Sequence, residues 1–225
     1  MGFLSLLVVA ITTWWLFSLP ASYLAQAIAL YALLGGLIFH FVPTAFSGRG
    51  LGSANRVTLG RATLVIPLSV LVLHAEQLSD SLRWWIIVVS TIAMLLDGLD
   101  GWLARRTSTS TDFGARFDME LDAFLILALS ILVLLTGQTG PWVILIGLLR
   151  YLFVAAGFVW STLQTSLPAS QRRKIICVVQ GVTLVVCLGP IISSLIASVI
   201  ATGALSLLLY SFAVDLQWLI KTTDR

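Results

Sequence analysis

The sequence predicts an all-α fold, a polytopic membrane helical bundle in which a six-helix core follows about two extra N-terminal helices. Three observations predict it. Of 225 residues, 59% are hydrophobic and only 10% charged, whereas a soluble globular chain carries about 25% charged residues. Apolar runs close to the ~20 residues needed to span a bilayer recur along the chain. Most of the cations fall in alternate linkers between those runs. So little polar surface could not cover a bundle of six to eight helices in water. Disorder, a secreted disulfide scaffold and a nucleic-acid module are excluded. The net charge of +3 is the usual cationic bias of a membrane protein. Cys177 and Cys187 share one apolar stretch and read as buried thiols without a redox or metal role.

Eight spans follow in order, at about 3–18, 22–42, 58–74, 85–104, 114–136, 140–160, 174–193 and 197–219. The first lacks the basic leader of a signal peptide and is closely followed by a second. Residues 43–57, PTAFSGRGLGSANRV, form the one sizeable linker, a loop or short surface helix. It separates an N-terminal two-helix extension, 1–48, from a core at 49–225. The fourth and fifth spans are joined by the short polar stretch TSTST and so form a hairpin, with Thr111 or Asp112 available to cap the second helix. Gly189-Pro190 is either a kink in the last apolar stretch or a helix end.

The cations set the orientation. Arg49, Arg56 and Arg61 are assigned to the linker before span three. Arg105, Arg106 and Arg116 lie between spans four and five, Arg172, Arg173 and Lys174 between six and seven, and Lys221 and Arg225 at the end. These are 11 of 13 cations, all on one side of an eight-span chain. That side is expected to be cytoplasmic, in a bacterial inner membrane. Trp14, Trp84, Trp85, Trp102, Trp142, Trp160 and Trp218 lie near span ends, as an aromatic belt would.

The chemistry is concentrated in 97–122, DGLDGWLARRTSTSTDFGARFDMELD. Asp97 and Asp100 are three apart, Asp118 and Asp122 four apart, and either spacing places two carboxylates on one helical face. With a rise of ~1.5 Å per residue, Asp97 lies roughly 10 Å and Asp122 about 12 Å from the hairpin ends of their helices. The four acids are thus expected at similar depth. Each costs about 3 kcal/mol within a membrane, and together they repel. Hard divalent cations with oxygen ligands offset both, and paired divalent ions are the usual device for displacement at phosphorus. The alternative is a set of structural ion pairs with nearby arginines. Gly98, Gly101 and Ala104 on the first helix and Gly114 at the start of the second leave room for a backbone or a ligand. Arg105 stands at the mouth, where a phosphate could enter.

The run Asp97-x-x-Asp100-Gly101-x-x-Ala104-Arg105, followed after eight residues by Gly114-x-x-x-Asp118-x-x-x-Asp122, resembles the CDP-alcohol phosphotransferase motif at all of its fixed positions. The resemblance extends over about 50–220, and residues 55–61, NRVTLGR, look like the family's sequence before its first core helix. It implies that Asp97, Asp100, Asp118 and Asp122 hold magnesium or manganese, two ions in all, with Asp122 the metal-associated general base. It implies that Gly101 and Arg105 hold the CDP moiety, with Thr111, Asn55 and Thr58 as further contacts. It also implies a homodimer that transfers a substituted phosphate from a CDP-linked lipid to an alcohol acceptor, releasing CMP, in phospholipid biosynthesis.

The acceptor is less legible. Arg150 lies in the middle of span six, at a depth near that of Asp122, and an intramembrane arginine is a functional candidate by default. It binds an acceptor, or it pairs with Glu120, which could pair instead with Arg116. Arg172 and Arg173 anchor the topology or, with Arg116, meet an acceptor phosphate or headgroup. Family members making phosphatidylglycerol phosphate tend to carry lysine after the last Asp, where this chain has Ala123. Two other classes share the acid-rich membrane hairpin. A UbiA-like prenyltransferase would show two separated Asp clusters. A non-enzymatic cation transporter would show repeated halves with broken helices.

Overall fold

The computed structural model describes residues 2–41, 53–107, 112–160, 163 and 170–223, with side chains over 3–38, 58–98, 114–160, 163 and 170–221. Among them are eight α-helices and no strand: α1 (Gly2–Leu16), α2 (Ala21–Phe41), α3 (Ser53–Val70), α4 (Asp80–Thr107), α5 (Asp112–Leu135), α6 (Ile144–Val159), α7 (Gln171–Cys187) and α8 (Ser194–Thr223). Among the described residues, five stretches are long and apolar enough to cross a membrane: 21–38, 58–77, 80–98, 141–159 and 194–221. A shorter apolar helix covers Phe3–Leu16. Large apolar side chains such as Leu4, Val8, Leu95, Phe158 and Ile191 are exposed, as expected where the solvent is hydrocarbon. The chain is a helical membrane bundle.

The chain packs as two units, 1–125 and 126–225, that divide within α5. In the first, α3 is the central helix and packs against α1, α2 and α4. Of its apolar stretch 67% is buried, against 17% for that of α2. α1 ends where Ser18 takes a left-handed φ of 49° and Leu19 N–H reaches back to the Trp14 carbonyl at 3.1 Å. This bond satisfies a helix-end carbonyl, and Pro20 then prevents continuation. α2 returns and meets α3 through polar bonds. Tyr23 Oη donates to the Pro67 carbonyl at 3.2 Å. Pro67 lies inside α3, which soon tightens into a 3-10 turn, Leu71–Gln77. In that turn His74 departs from helical geometry, and its Nε2 lies 2.8 Å from Gln26 Oε1. An amide oxygen only accepts, so Nε2 carries the hydrogen.

Trp85 Nε1 donates to Thr13 Oγ1 at 3.0 Å, and its ring lies 6.2 Å from that of Phe17. Trp85 therefore joins α4 to α1 as well as lying near a span end. Ser69, Ser90 and Thr91 donate to carbonyls four residues earlier, the usual way a hydroxyl is satisfied within a membrane helix.

In the second unit α6 crosses the C-terminal half of α5 at Gly147. A Cβ there would lie 2.9 Å from the Leu127 nitrogen and 2.8 Å from Ser130 Oγ. A small residue at a crossing lets two backbones approach. Gly147→Leu should force these helices apart and cost about 1–3 kcal/mol, read as a lower thermal midpoint in detergent with helix content kept. α7 packs against α8, and Gln180 Nε2 donates to the Ala204 carbonyl at 2.9 Å. α7 ends at Cys187 and α8 starts at Ser194, so Gly189-Pro190 marks a helix end. Cys187 is buried and Cys177 partly so.

Two expectations are corrected. Residues from Ser53 onward belong to α3, so the linker ends several residues before position 57. Arg61, assigned to that linker, is inside α3 and 1% exposed. What draws its positive charge under cover is the acids it meets.

Candidate active site

Three helices of the first unit build the site. α4 supplies Asp97 near its C-terminal end, and α5 supplies Asp118 and Asp122, four residues apart on one face. The three carboxylates converge, each offering an oxygen within 4.8 Å of the others. α3 supplies Arg61. Its Nη1 donates to Asp97 Oδ1 at 2.6 Å and also to Asp118 Oδ1, its Nη2 donates to Asp122 Oδ1, and its Nε donates to the Ala93 carbonyl at 3.2 Å. Ala93 is itself fully buried, and so small a side chain leaves the guanidinium space against α4.

The charges explain why this arrangement holds. Two carboxylates about 5 Å apart repel by about 3 kcal/mol at an effective dielectric constant of about 20. Arg61 meets all three acids at shorter range, so its attractions are of the same order as the three repulsions. The cluster still keeps two negative charges. Its donors are hard anionic oxygens, spaced as two ligands of one ion would be at about 2.1–2.6 Å each. The residues present therefore fit a divalent metal. Asp97, Asp118 and Asp122 are 32%, 37% and 27% exposed, against 1% for Arg61, so the guanidinium closes the buried side and the carboxylates form the accessible one.

A family model, CDP-alcohol phosphatidyltransferase, matches residues 51–212. The chain belongs to the CDP-alcohol phosphatidyltransferase family. No curated protein and no solved structure matches it. As a member of the family it is a membrane enzyme of the class that transfers phosphate-linked groups from CDP-alcohols, and the prenyltransferase and transporter alternatives give way to that class.

The family's signature run lies on α4 and α5, and the structure brings together three of its four acids. The fourth, Asp100, lies in α4 with Gly101 and Arg105, but these side chains fall outside the described ones. Thr111 lies outside the described residues, and Asn55 is in α3 with its side chain undescribed. Thr58 is buried on α3, one turn before Arg61 and on the same face. A Cβ at Gly98 would meet none of the described atoms within 4 Å. That open space lies beside Asp97. Arg116 and Glu120 are exposed on α5, and Arg150 is half-buried on α6, in the second unit.

Two ion-paired side chains were not singled out from the sequence. Arg61 was grouped with linker cations, although it stands within the apolar run 58–74. Asp215 drew no comment, although it is the one acid in the apolar stretch 194–221. In the structure Asp215 is 11% exposed and accepts from Arg172 Nη2 at 2.5 Å and Arg173 Nη1 at 3.3 Å. Both signals were present, since an ionisable residue inside an apolar span needs a partner.

Proposed function

We propose that this chain moves a substituted phosphate group, phosphatidyl in the simplest case, from a CDP-linked lipid to an alcohol, with release of CMP, in phospholipid biosynthesis. The observation that carries the reading is the convergence of Asp97, Asp118 and Asp122 from two helices onto one accessible point, in a chain of this family. Asp97, Asp100, Asp118 and Asp122 would hold the divalent cations, magnesium or manganese and two for four acids. The ions would supply charge stabilisation at the diphosphate. Gly101, Arg105 and Thr111, with Asn55 and Thr58 from α3, hold and orient the CDP moiety. Asp122 accepts the proton of the acceptor hydroxyl. The hydroxyl oxygen bonds to the β-phosphorus as the bond from that phosphorus to the bridging oxygen breaks, and the electron pair leaves with CMP.

Residues 1–48 form an extension to a core at 49–225, and the enzyme is a homodimer in a bacterial inner membrane. Its site opens to the cytoplasm, where the nucleotide of the donor is in water. The acceptor is anionic and is met by Arg150, with Arg116, Arg172 and Arg173 as further contacts. The Asp215 carboxylate lends support here, because it holds two neighbouring guanidinium groups in place.

The test is to incubate purified protein with CDP-diacylglycerol, manganese and a panel of free and phosphorylated alcohols, following CMP release and product mass. Metal-dependent CMP release with one phosphorylated alcohol is expected, and release with none would overturn the reading. In the same assay Arg150→Gln should raise the KM for the acceptor about ten- to a hundredfold, the loss of one charge-assisted contact of about 1.5–3 kcal/mol. The KM for the CDP-lipid should stay unchanged.

A further inference from the structure

Arg61 is the most buried charged side chain among the described residues, at 1% exposed. Four hydrogen bonds commit it, one to the Ala93 carbonyl and three to the carboxylates. A guanidinium has five N–H donors, so little of it is left for a substrate. All three carboxylates are engaged through Oδ1, and all three are about a third exposed. Each carboxylate has a second oxygen.

We propose that Arg61 is a positioning residue for the divalent-ion site: from the buried side it fixes one oxygen of Asp97, Asp118 and Asp122, so that the accessible side presents a converged set of oxygens to the ion. The inference rests on the metal-dependent reading of the site. Guanidinium and ion share the carboxylates instead of competing for them. Three carboxylates and one guanidinium carry two negative charges, the charge of one divalent cation. Without Arg61 the three acids would repel and spread before an ion arrived, and the ion would have to gather them. A planar fork that reaches three carboxylates and a carbonyl at once is particular to arginine. A lysine ammonium is a point charge with three donors and cannot reproduce it. The arrangement parallels the hydrogen-bonded outer partners that orient metal-ligating carboxylates elsewhere.

The experiment measures Mn2+ binding to the purified full chain in detergent, by the electron paramagnetic resonance of free Mn2+, for wild type, Asp118→Asn and Arg61→Lys. Loss of such an outer partner weakens metal binding about ten- to a hundredfold, and that loss is expected for Arg61→Lys with helix content retained. Unchanged affinity would make Arg61 a purely structural ion pair, and tighter binding would make it a competitor of the metal. Either result overturns the proposal while leaving the metal site standing, provided Asp118→Asn loses the ion. Failure of the wild type itself to bind Mn2+ removes both readings. Should Arg61→Lys not yield folded protein, the Nε–H of Arg61 in wild type labelled with 15N-arginine decides. It should remain protected from solvent exchange on loading with Mg2+, because the bond to Ala93 persists. Loss of protection would show displacement by the ion and overturn the proposal.

Discussion

Asp97→Asn and Asp118→Asn are each expected to reduce metal-dependent CMP release about a hundredfold or more, while the purified variants remain folded. Each replaces a charged oxygen ligand by a neutral one in a site where three carboxylates meet. Charge stabilisation by a bound metal amounts to several kcal/mol, and every 1.36 kcal/mol of barrier is tenfold in rate. The stability of the metal-free protein should move the other way. Removing one carboxylate leaves Arg61 with two acids and lowers the repulsion that it has to offset. A higher thermal midpoint without metal, a smaller rise in midpoint on adding Mn2+ and a collapse of turnover form the expected signature. Turnover near the wild-type level in either variant would remove the shared-site proposal.

The second large effect concerns Asp215. Asp215→Ala leaves Arg172 and Arg173 side by side without the carboxylate that both engage. Removing one partner of a fully buried pair costs about 3–5 kcal/mol. The arginines here are 26% and 31% exposed, so solvent screening lowers the expected loss to about 2 kcal/mol. Thermal unfolding in detergent should show it as a drop of several degrees. Because the side chains act as a unit, Arg172→Gln combined with Asp215→Ala should cost less than the two single changes added together. Strict additivity would mean that the ion pair contributes nothing to the fold.

The helices were legible because hydropathy alone specifies them. With every backbone group obliged to bond internally in hydrocarbon, an apolar run of sufficient length has no other outcome. The eight runs correspond to α1–α8, and the hairpin of α4 and α5 follows from the short TSTST link. The convergence of Asp97, Asp118 and Asp122 was legible for a similar reason, since helical spacing fixes faces and rise fixes depth.

Helical arithmetic on one hairpin cannot reveal what a third helix contributes. Arg61 precedes Asp97 by 36 residues and Asp122 by 61, and nothing local to α3 states which helix its face meets. Assigning Arg61 to the linker followed the rule that cations gather in the cytoplasmic loops. That rule fails where the cation is compensated inside the protein. Asp215 was missed for the same reason, as its partners lie on another helix. Gly98 keeps one of the two readings its residue type allows, because the space around it is open among the described atoms and leaves room for a ligand, where close packing of a second backbone is the other use of a membrane-helix glycine.

The long sequence separation between Arg61 and its acids also has a consequence in time. A ribosome adds about 5–20 residues per second, so α3 is made seconds before Asp97, and longer still before Asp118 and Asp122. During that interval Arg61 has no counter-charge, and an arginine at the centre of a membrane helix costs about 2.5–3.5 kcal/mol. Its place near the start of the apolar stretch 58–77 eases the delay, because a long side chain near the end of an apolar stretch can reach up to the headgroups. α2 is already made and offers the hydroxyl of Tyr23 to α3 and the amide of Gln26 to the turn that follows it. The arginine is then drawn inward as α4 and α5 deliver the carboxylates, so the nascent chain completes its acid cluster in the step that buries Arg61.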